Sequence, residues 1–587
     1  MTCNFCVSRL WILAAVLALA SLACDENTIS SSGGAGGAGG SGGRGGSGGS
    51  GGSGGTAGMG GAGGMGGAGG MAGMGGAGGM AGMGGAGGMG GTGGMGGTGG
   101  MGGTGGMGGT GGTGGSSGTS VVQHHNNLSR DGVYVAANLT RTAAATMHRD
   151  PAFNATVSGN VYAQPLYLAA ATTGPNLIIV ATESNQVAAL DAATGQTVWQ
   201  RVLAPNVSRA VLPCGNIDPL GITGTPVIDE ATRTVYLDAM TSNNGPHHEI
   251  YALSADDGTN RAGWGPVNVD TAVSGFDSTI QNQRSAIALV GGMIYVAYGG
   301  HAGDCGGYHG WVVAVSASNS SQVSSWSTRA SGGGMWAMGG PASDGTSVFV
   351  VTGNTFSTGN TWGDGEAVIR LGAGASFSQQ TADYFAPTDW LALDGADADL
   401  GGTGAIPFHL GGATPSELIV ALGKDGKVYV LNRANLGGIT TALATRSVSG
   451  SEIINAATLY STPQGTYVAF KGNGMGCPGG TSGNLAAVKI NPGAPPTLAM
   501  AWCADQNGNG SPMTSTTDGT SESVVWSVGA EGTNRLYGFN GDTGAVVFGG
   551  GGANDVMSSV QGYQTPIVAG GRIFVAGNGH VYAFTTN

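Results

Sequence analysis

From about residue 119 to the C-terminus, hydrophobic residues occur in short runs, many alternating with polar residues, between turns rich in Gly, Asn and Asp. Such runs, with many Val, Ile, Tyr and Phe residues, are typical of β-strands. The clearest unit, residues 165–199, contains LIIVATESNQVAALDAATGQTVW. Its DAATG segment predicts a tight turn in which Gly195 takes a positive φ. The unit therefore predicts a small antiparallel sheet.

The same unit recurs along the chain, and repeats of this size are typical of propellers and solenoids. Related copies begin near eight positions: Pro165, Pro226, Ala286, Pro341, Ala405, Ala457, Pro512 and Pro566. The last copy stops after three strands, so residues 153–159 are predicted to supply its outer strand. Closure by this N-terminal segment removes an open sheet edge. The sequence predicts an all-β, eight-bladed β-propeller, with seven blades as the alternative.

The residue just before each copy is small in nearly every case. These residues are Gln164, Thr225, Ser285, Gly340, Gly404, Ala456, Ser511 and Thr565. Because the innermost strands of a propeller crowd around its axis, packing requires small side chains there.

The segment before residue 119 has a different composition. Residues 32–118 repeat the triplet Gly-Gly-X or Ala-Gly-X, with X mostly Ala, Ser, Thr or Met. No proline occurs before Pro151, so a collagen triple helix is not predicted. A glycine-rich chain buries too little apolar surface to fold alone, and we expect a disordered, flexible tether.

The first residues resemble an export signal. An apolar run at residues 10–22 follows Arg9 and is too short to span a bilayer. It ends in Ser21-Leu-Ala-Cys24, which resembles a lipobox, although lipoboxes usually carry Leu where Ser21 stands. We expect a signal peptide at 1–23, a lipidated Cys24 opening the linker at 24–118, and a propeller at 119–587. The protein is then exported and held in the cell envelope by its lipid alone. The sequence does not indicate which membrane leaflet or side carries it. Ordinary signal cleavage without lipidation is the alternative.

Charge is sparse, at 9% of residues, and the formal net charge is −13. Nucleic-acid binding requires a basic face, so this balance argues against it.

Four of the seven cysteines lie beyond Cys24. An even number in an exported chain indicates two disulfides, with three pairings open. In a four-stranded blade, the loop between strands two and three lies on the same face as the loop to the next blade. Cys214 falls in a blade-to-blade loop and Cys305 in a two-to-three loop one blade on, and Cys477 and Cys503 fall in the same two classes of loop. We therefore predict Cys214–Cys305 and Cys477–Cys503, both pinning one face; four buried free thiols are the alternative.

The blade ending ALDAATGQTVW resembles the pyrroloquinoline quinone (PQQ) repeat of the quinoprotein alcohol dehydrogenase-like propellers, and similar repeats cover residues 150–587. Dehydrogenases of that family hold PQQ with Ca²⁺ over the propeller axis. Trp336 in GGMWAMGG resembles the Trp that stacks beneath the quinone, and Lys424 in ALGKDGKVYVLNR resembles the cation beside the quinone carbonyls. Arg284 is expected either to bind an anion of the ligand or to pair with Asp304.

The resemblance also implies metal-binding and catalytic positions. Asn354 in VVTGN, 18 residues after Trp336, resembles a calcium ligand, and Asp304 lies near the family's metal-binding Glu. Asp397 or Asp399 in DGADADLGG falls where the family has its catalytic Asp. Alcohol oxidation by this chemistry needs three kinds of group: oxygen ligands for a hard cation, an aromatic ring that stacks on the cofactor and a carboxylate base.

The sequence also departs from the family. It has no adjacent cysteine pair and no CxxCH haem motif, and Asp stands in place of Glu at residue 304. The pairs His124-His125 and His247-His248 are expected on strands, where neighbouring side chains point to opposite faces and do not share a metal.

The leading interpretation is a tethered envelope propeller that binds a ligand or partner, such as an envelope protein or glycan, on the pinned face, without catalysis or cofactor. A PQQ- and calcium-dependent alcohol or sugar dehydrogenase is the alternative. The third interpretation is a structural surface or matrix protein.

Overall fold

The structure, a computed structural model, describes residues 119–587. These residues form eight small sheets, the blades of the predicted propeller. The strands of blades 1 to 4, from inner to outer, are Leu166–Leu168, Leu177–Ala181, Gln186–Asp191 and Thr197–Val202; Val227–Asp229, Thr234–Thr241, His247–Ser254 and Val267–Asn268; Gln281–Asn282 with Ala288–Val290, then Met293–Gly300, Trp311–Ser316 and Asn319–Ser327; Ala342–Ser343, Val348–Thr352, Ala367–Leu371, Tyr384–Pro387 and Gly438–Thr440. Those of blades 5 to 8 are Ala405–His409, Glu417–Leu422, Lys427–Asn432 and Ala444–Ser447; Thr458–Thr462, Gly465–Lys471, Leu485–Asn491 and Thr497–Ala504; Val133–Val135, Met513–Thr516, Val524–Val528, Leu536–Asn540 and Val546–Phe548; Ile567–Ala569, Arg572–Gly577, His580–Thr585, and His148–Arg149 with Ala155–Thr156. The predicted signal peptide, lipid-modified Cys24 and glycine-rich tether lie outside the described residues.

Short helices lie in the connections of the described chain. They are Arg141–Ala144, Val269–Ala272 and Trp390–Ala396, with 3₁₀ turns at Arg209–Val211, Thr381–Asp383, Leu400–Gly402, Pro478–Gly480 and Ala553–Asp555. Within residues 119–587 we find no helix with the length and apolar character that a membrane span requires.

The core lies between neighbouring blades. The second strand of blade 1, Leu177–Ala181, is buried throughout, because its two faces pack on different blades. The outer strand Thr197–Val202 is half-buried to exposed. Inner and middle strands therefore read as continuous apolar runs, and outer strands as mixed ones.

The ring closes as predicted. Ala155–Thr156 pairs antiparallel with the last strand, His580–Thr585, and His148–Arg149 continues the same outer position. Blade 4 gains a strand that the repeat pattern did not indicate: Gly438–Thr440, from the blade 5 sequence, pairs parallel with Tyr384–Pro387.

Residues 119–136, which we call the axial strap, enter the centre of the ring. Val121 pairs with Tyr167 of blade 1, the carbonyl of Asp131 accepts the N–H of Leu459 in blade 6, and Val133–Val135 pairs parallel with the inner strand of blade 7. The small residues predicted beside the axis thus leave room for a separate segment of the chain.

The sequence predicts the pair His124-His125 on a strand, and the structure shows that this prediction is wrong. Both residues are buried in the strap rather than on a strand, and their rings stack with centroids 4.4 Å apart. The backbone N–H of His125 donates to Gln164, the residue before the first copy. Burial lowers the pKa of His125 to about 4, so both rings are neutral at pH 7.

The strap begins on the face opposite the disulfides. The hydroxyl of Ser120 accepts the N–H of Ala169 and donates to Glu230, and both partners lie in turns between first and second strands. Both predicted disulfides are present, with Cα–Cα distances of 6.0 Å for Cys214–Cys305 and 5.8 Å for Cys477–Cys503. Cys503 lies within the outer strand of blade 6 rather than in the loop beyond it.

Candidate functional site

Several sequence-predicted residues meet on the disulfide-pinned face. Trp336 lies in the connection from blade 3 to blade 4, and its indole N–H donates to Asp399 Oδ2 at 3.1 Å. Lys424, in the two-to-three turn of blade 5, places its Nζ 2.8 Å from the same oxygen. We call Trp336, Asp399, Lys424, Glu366 and Arg284 the Trp336 cluster.

The connection from blade 4 to blade 5 fixes Asp399. The helix Trp390–Ala396 ends at Asp397, which adopts a left-handed φ of 51°. Asp399 follows with its side chain 2% exposed, and its Oδ1 accepts the backbone N–H of Asn354 at 2.9 Å. The N–H of Lys424 donates back to the carbonyl of Asp399 at 2.7 Å. Both carboxylate oxygens and the backbone of Asp399 are therefore held by neighbouring loops.

The two candidate carboxylates occupy different environments. Asp397 is 63% exposed and contacts Lys424 Nζ at 2.8 Å, whereas Asp399 is buried against Trp336. Burial alone would lower the pKa of Lys424, but Asp399 and Asp397 hold it above its usual value. Asp399 is thus the carboxylate that contacts Trp336, and Asp397 lies at the exposed edge of the cluster.

Glu366, which sequence reasoning missed, is buried behind Asp399. It lies before the third strand of blade 4 with a left-handed φ of 51°, and its Oε2 accepts the N–H of Leu400 at 2.7 Å. Its Oε1 is buried and has no hydrogen-bond partner among the described residues. Burial raises the pKa of Glu366 to about 9, and the charge of Asp399 adds to the rise. Glu366 is therefore neutral at pH 7.

We expect Glu366→Gln to flatten the pH dependence of stability. Because the folded pKa of Glu366 exceeds its unfolded value of about 4.5, the stability it contributes is full below pH 4.5 and is lost as pH rises towards 9. Gln does not ionise, so the variant should gain about 2 kcal/mol or more over wild type between pH 5 and pH 8. Urea unfolding at the two pH values measures this. Glu230→Gln, at an exposed turn, is the control, and an equal change in both variants would contradict the assignment.

Arg284 supplies an unpaired cation. Its Cζ lies 5.8 Å from the centroid of Trp336, and Lys424 Nζ lies 5.2 Å from the same centroid. The pairing with Asp304 offered as an alternative is not formed: within residues 119–587 Arg284 has no ion pair, and its buried Nε has no hydrogen-bond partner. Burial lowers the pKa of Arg284, and interactions with Tyr563, Tyr308, Asp304 and Asp399 oppose part of this fall.

The predicted metal ligands do not form a complete set. Asp304 is exposed, adopts a φ of 49°, and accepts the hydroxyl of Tyr308 at 2.8 Å. Asn354 is buried and contacts Asp399 through its backbone. Across residues 119–587 no three His, Cys, Asp or Glu side chains are grouped so as to hold a metal ion. The assignment of Asn354 and Asp304 to calcium stays a prediction.

The fold is similar to solved quinoprotein dehydrogenases. Quinohemoprotein alcohol dehydrogenase from Comamonas testosteroni matches with a TM-score of 0.55 and 14% identity, over 80% of each chain. The quinohemoprotein alcohol dehydrogenase ADHIIG from Pseudomonas putida HK5 gives the same values. A europium-containing methanol dehydrogenase matches with a TM-score of 0.51 and 13% identity, over 78% of this chain and 90% of that one. No protein-family description and no curated protein matches the sequence.

The described residues therefore have a β-propeller fold similar to that of these dehydrogenases, and at this level of identity the likeness shows the fold alone. The groups implied by such a fold can be compared with the residues present. A half-buried indole flanked by two cations fits a flat anion such as PQQ. Both oxygens of Asp399 accept hydrogen bonds, and no three acidic, His or Cys side chains of residues 119–587 are grouped around an ion position, so calcium binding stays a prediction.

Proposed function

We propose that the protein is a ligand-binding propeller whose ligand is a small planar anion seated on Trp336. The observation that carries the proposal is Arg284, a half-buried cation beside the indole that forms no salt bridge among the described residues and whose buried Nε has no hydrogen-bond partner. A partly desolvated charge without a salt bridge destabilises the fold, and an anion that arrives from outside would offset this cost. A planar ligand covers the indole, and its carboxylate or sulfonate pairs with the guanidinium.

The charges around Trp336 balance although the whole chain is acidic. The carboxylates of Asp399 and Asp397 both pair with Lys424, and Glu366 is neutral at pH 7 because burial raises its pKa to about 9. Arg284 faces this set without an ion pair in residues 119–587. The net charge of −13 lies elsewhere on the chain.

The proposal includes export to the cell envelope and a lipid anchor at Cys24. Two disulfides favour an oxidising compartment. Ser120 makes hydrogen bonds to two turns on the face opposite Trp336. Partners such as an envelope protein or glycan belong to the same proposal.

A PQQ-dependent alcohol or sugar dehydrogenase is the second candidate, favoured by one observation: Asp399 touches both Trp336 and Lys424. PQQ, when bound, supplies an electron-accepting quinone. Trp336 would carry the ring, Lys424 would lie beside its carbonyls, and Asp399 would accept the hydroxyl proton of an alcohol.

A ligand panel separates the candidates. Isothermal titration of the oxidised, full-length chain with PQQ and with anthraquinone disulfonate, both planar anions, should give micromolar binding in EDTA, and Trp336→Ala should abolish it. Citrate, an anion without a flat ring, should bind at least tenfold more weakly. Absence of binding for both planar anions would refute the proposal. Dye-linked oxidation of alcohols and sugars that requires PQQ and calcium would make the dehydrogenase the correct function.

A further inference from the structure

A tyrosine lies on the same face of the ring as the Trp336 cluster, on the opposite side of the axis. Tyr563 lies in the connection from blade 7 to blade 8, on the same face as Trp336 between blades 3 and 4. In an eight-bladed ring these connections lie across the axis from each other. Tyr563 lies two residues before Thr565, whose hydroxyl contacts His124 of the axial strap at 3.4 Å, so this connection reaches the axis. Burial raises the pKa of Tyr563; Arg284 and Lys424 oppose the rise, and Glu531 and Glu452 add to it.

The backbone of Tyr563 is strained. Its φ is +70°, in the left-handed region that Gly accepts and a bulky side chain rarely adopts. Three hydrogen bonds hold this conformation: the N–H of Tyr563 donates to the carbonyl of Asn509 at 2.9 Å, and its carbonyl accepts the hydroxyls of Ser511 at 2.9 Å and Thr565 at 3.4 Å. Such strain persists where surrounding contacts enforce it, and it is concentrated at functional sites.

The side chain of Tyr563 has little role in packing. Its ring joins none of the hydrophobic clusters formed by residues 119–587, and it stacks on no other aromatic ring there. Its hydroxyl makes no hydrogen bond to a described residue and is not sealed from solvent. A glycine would meet the backbone requirement at lower cost, so packing and backbone geometry do not explain a tyrosine at this position.

We infer that Tyr563 is a specificity-determining residue of the ligand site, whose hydroxyl donates a hydrogen bond to an oxygen of the planar anion at the end held by Arg284. The ligand then spans the axis, with its flat ring on Trp336 and an anionic oxygen between Arg284 and Tyr563. This selects carboxylated or sulfonated planar anions that are long enough to reach both Arg284 and Tyr563 over shorter ones. The inference rests on the proposed function, since it names a further residue and the ligand geometry of the same site.

Two variants of the full-length chain test this role. Tyr563→Phe keeps the ring and removes the donor, and PQQ binding should weaken about tenfold, the effect of one hydrogen bond to a charged group. Tyr563→Gly relieves the left-handed backbone, so its urea midpoint should equal or exceed that of wild type while binding weakens further. Stability and binding then move in opposite directions, which a residue kept for packing does not produce. Tyr236→Phe, which loses a hydroxyl bonded to the carbonyl of Ala317 between blades 2 and 3, is the control for binding.

The outcomes separate this inference from the proposed function. If wild type binds PQQ and Tyr563→Phe binds equally well, the specificity role is wrong and the ligand site stands. A lower urea midpoint for Tyr563→Gly would show that the tyrosine serves the fold and would also overturn the inference. If wild type binds no planar anion, the proposed function fails first, and Tyr563 loses the ligand on which its role depends.

Discussion

Replacing Arg284 with methionine should weaken binding of PQQ by at least about 100-fold and leave the fold as stable as wild type or more so. The loss in binding follows from removing the cation that pairs with the ligand, an effect of about 3 kcal/mol. The stability result follows because Arg284 forms no salt bridge in residues 119–587 and its Nε is buried without an acceptor. Methionine has similar length and carries no charge to desolvate. Isothermal titration and urea unfolding of the same preparation give both quantities.

The matched control is Arg149→Met. The Arg149 guanidinium also lies over an aromatic ring, 5.6 Å from the centroid of Tyr582, but on the outer part of blade 8. This variant should bind PQQ like wild type. If both variants lose binding, the effect comes from general disturbance of the fold; if neither does, Arg284 is not the anion-binding group.

Arg130→Met should lower the free energy of unfolding by about 3 kcal/mol. Arg130 is also buried without an acidic partner, but its guanidinium donates four hydrogen bonds. They go to Gln123 and His124 of the strap and to the carbonyls of Ile287 and Pro341 in the blades. The substitution would leave buried acceptors without donors and would detach the strap from two blades, and the sum of these losses exceeds the gain from removing a buried charge.

Urea unfolding followed by tryptophan fluorescence measures the effect of Arg130→Met. Arg209→Met is the control, because Arg209 is exposed and its Nε donates to one carbonyl, that of Gly215. A loss below about 1 kcal/mol for Arg130→Met would show that the strap contributes little to the closed ring.

The blades could be predicted from the sequence because each is a local unit with its own turn. The spacing from Pro226 to Tyr236, for example, already places two antiparallel neighbours, and the disulfides follow from the faces on which such loops end. Trp336 and Asp399 converge with Lys424 because successive blade-to-blade connections and the two-to-three turn of blade 5 lie on the same face. The repeated blade unit therefore made both the fold and part of the site predictable from the sequence.

The remaining features depend on contacts without a repeat. The axial strap is not part of a blade, and no local pattern indicates that His125 will meet Gln164 at the axis. Glu366, in the segment GDGE, resembles an ordinary turn residue until burial behind Asp399 changes its protonation. Tyr563 has a backbone conformation that sequence patterns do not predict for tyrosine. Each of these features depends on segments that meet only after the ring has closed.

The most direct test of the account is a crystal structure of the full-length, oxidised chain grown with PQQ in the presence of EDTA. We expect a ring stacked on the indole of Trp336, with an anionic oxygen at the guanidinium of Arg284. A ring bound elsewhere on the propeller, or a ring that occupies Trp336 only when calcium replaces EDTA, would contradict it.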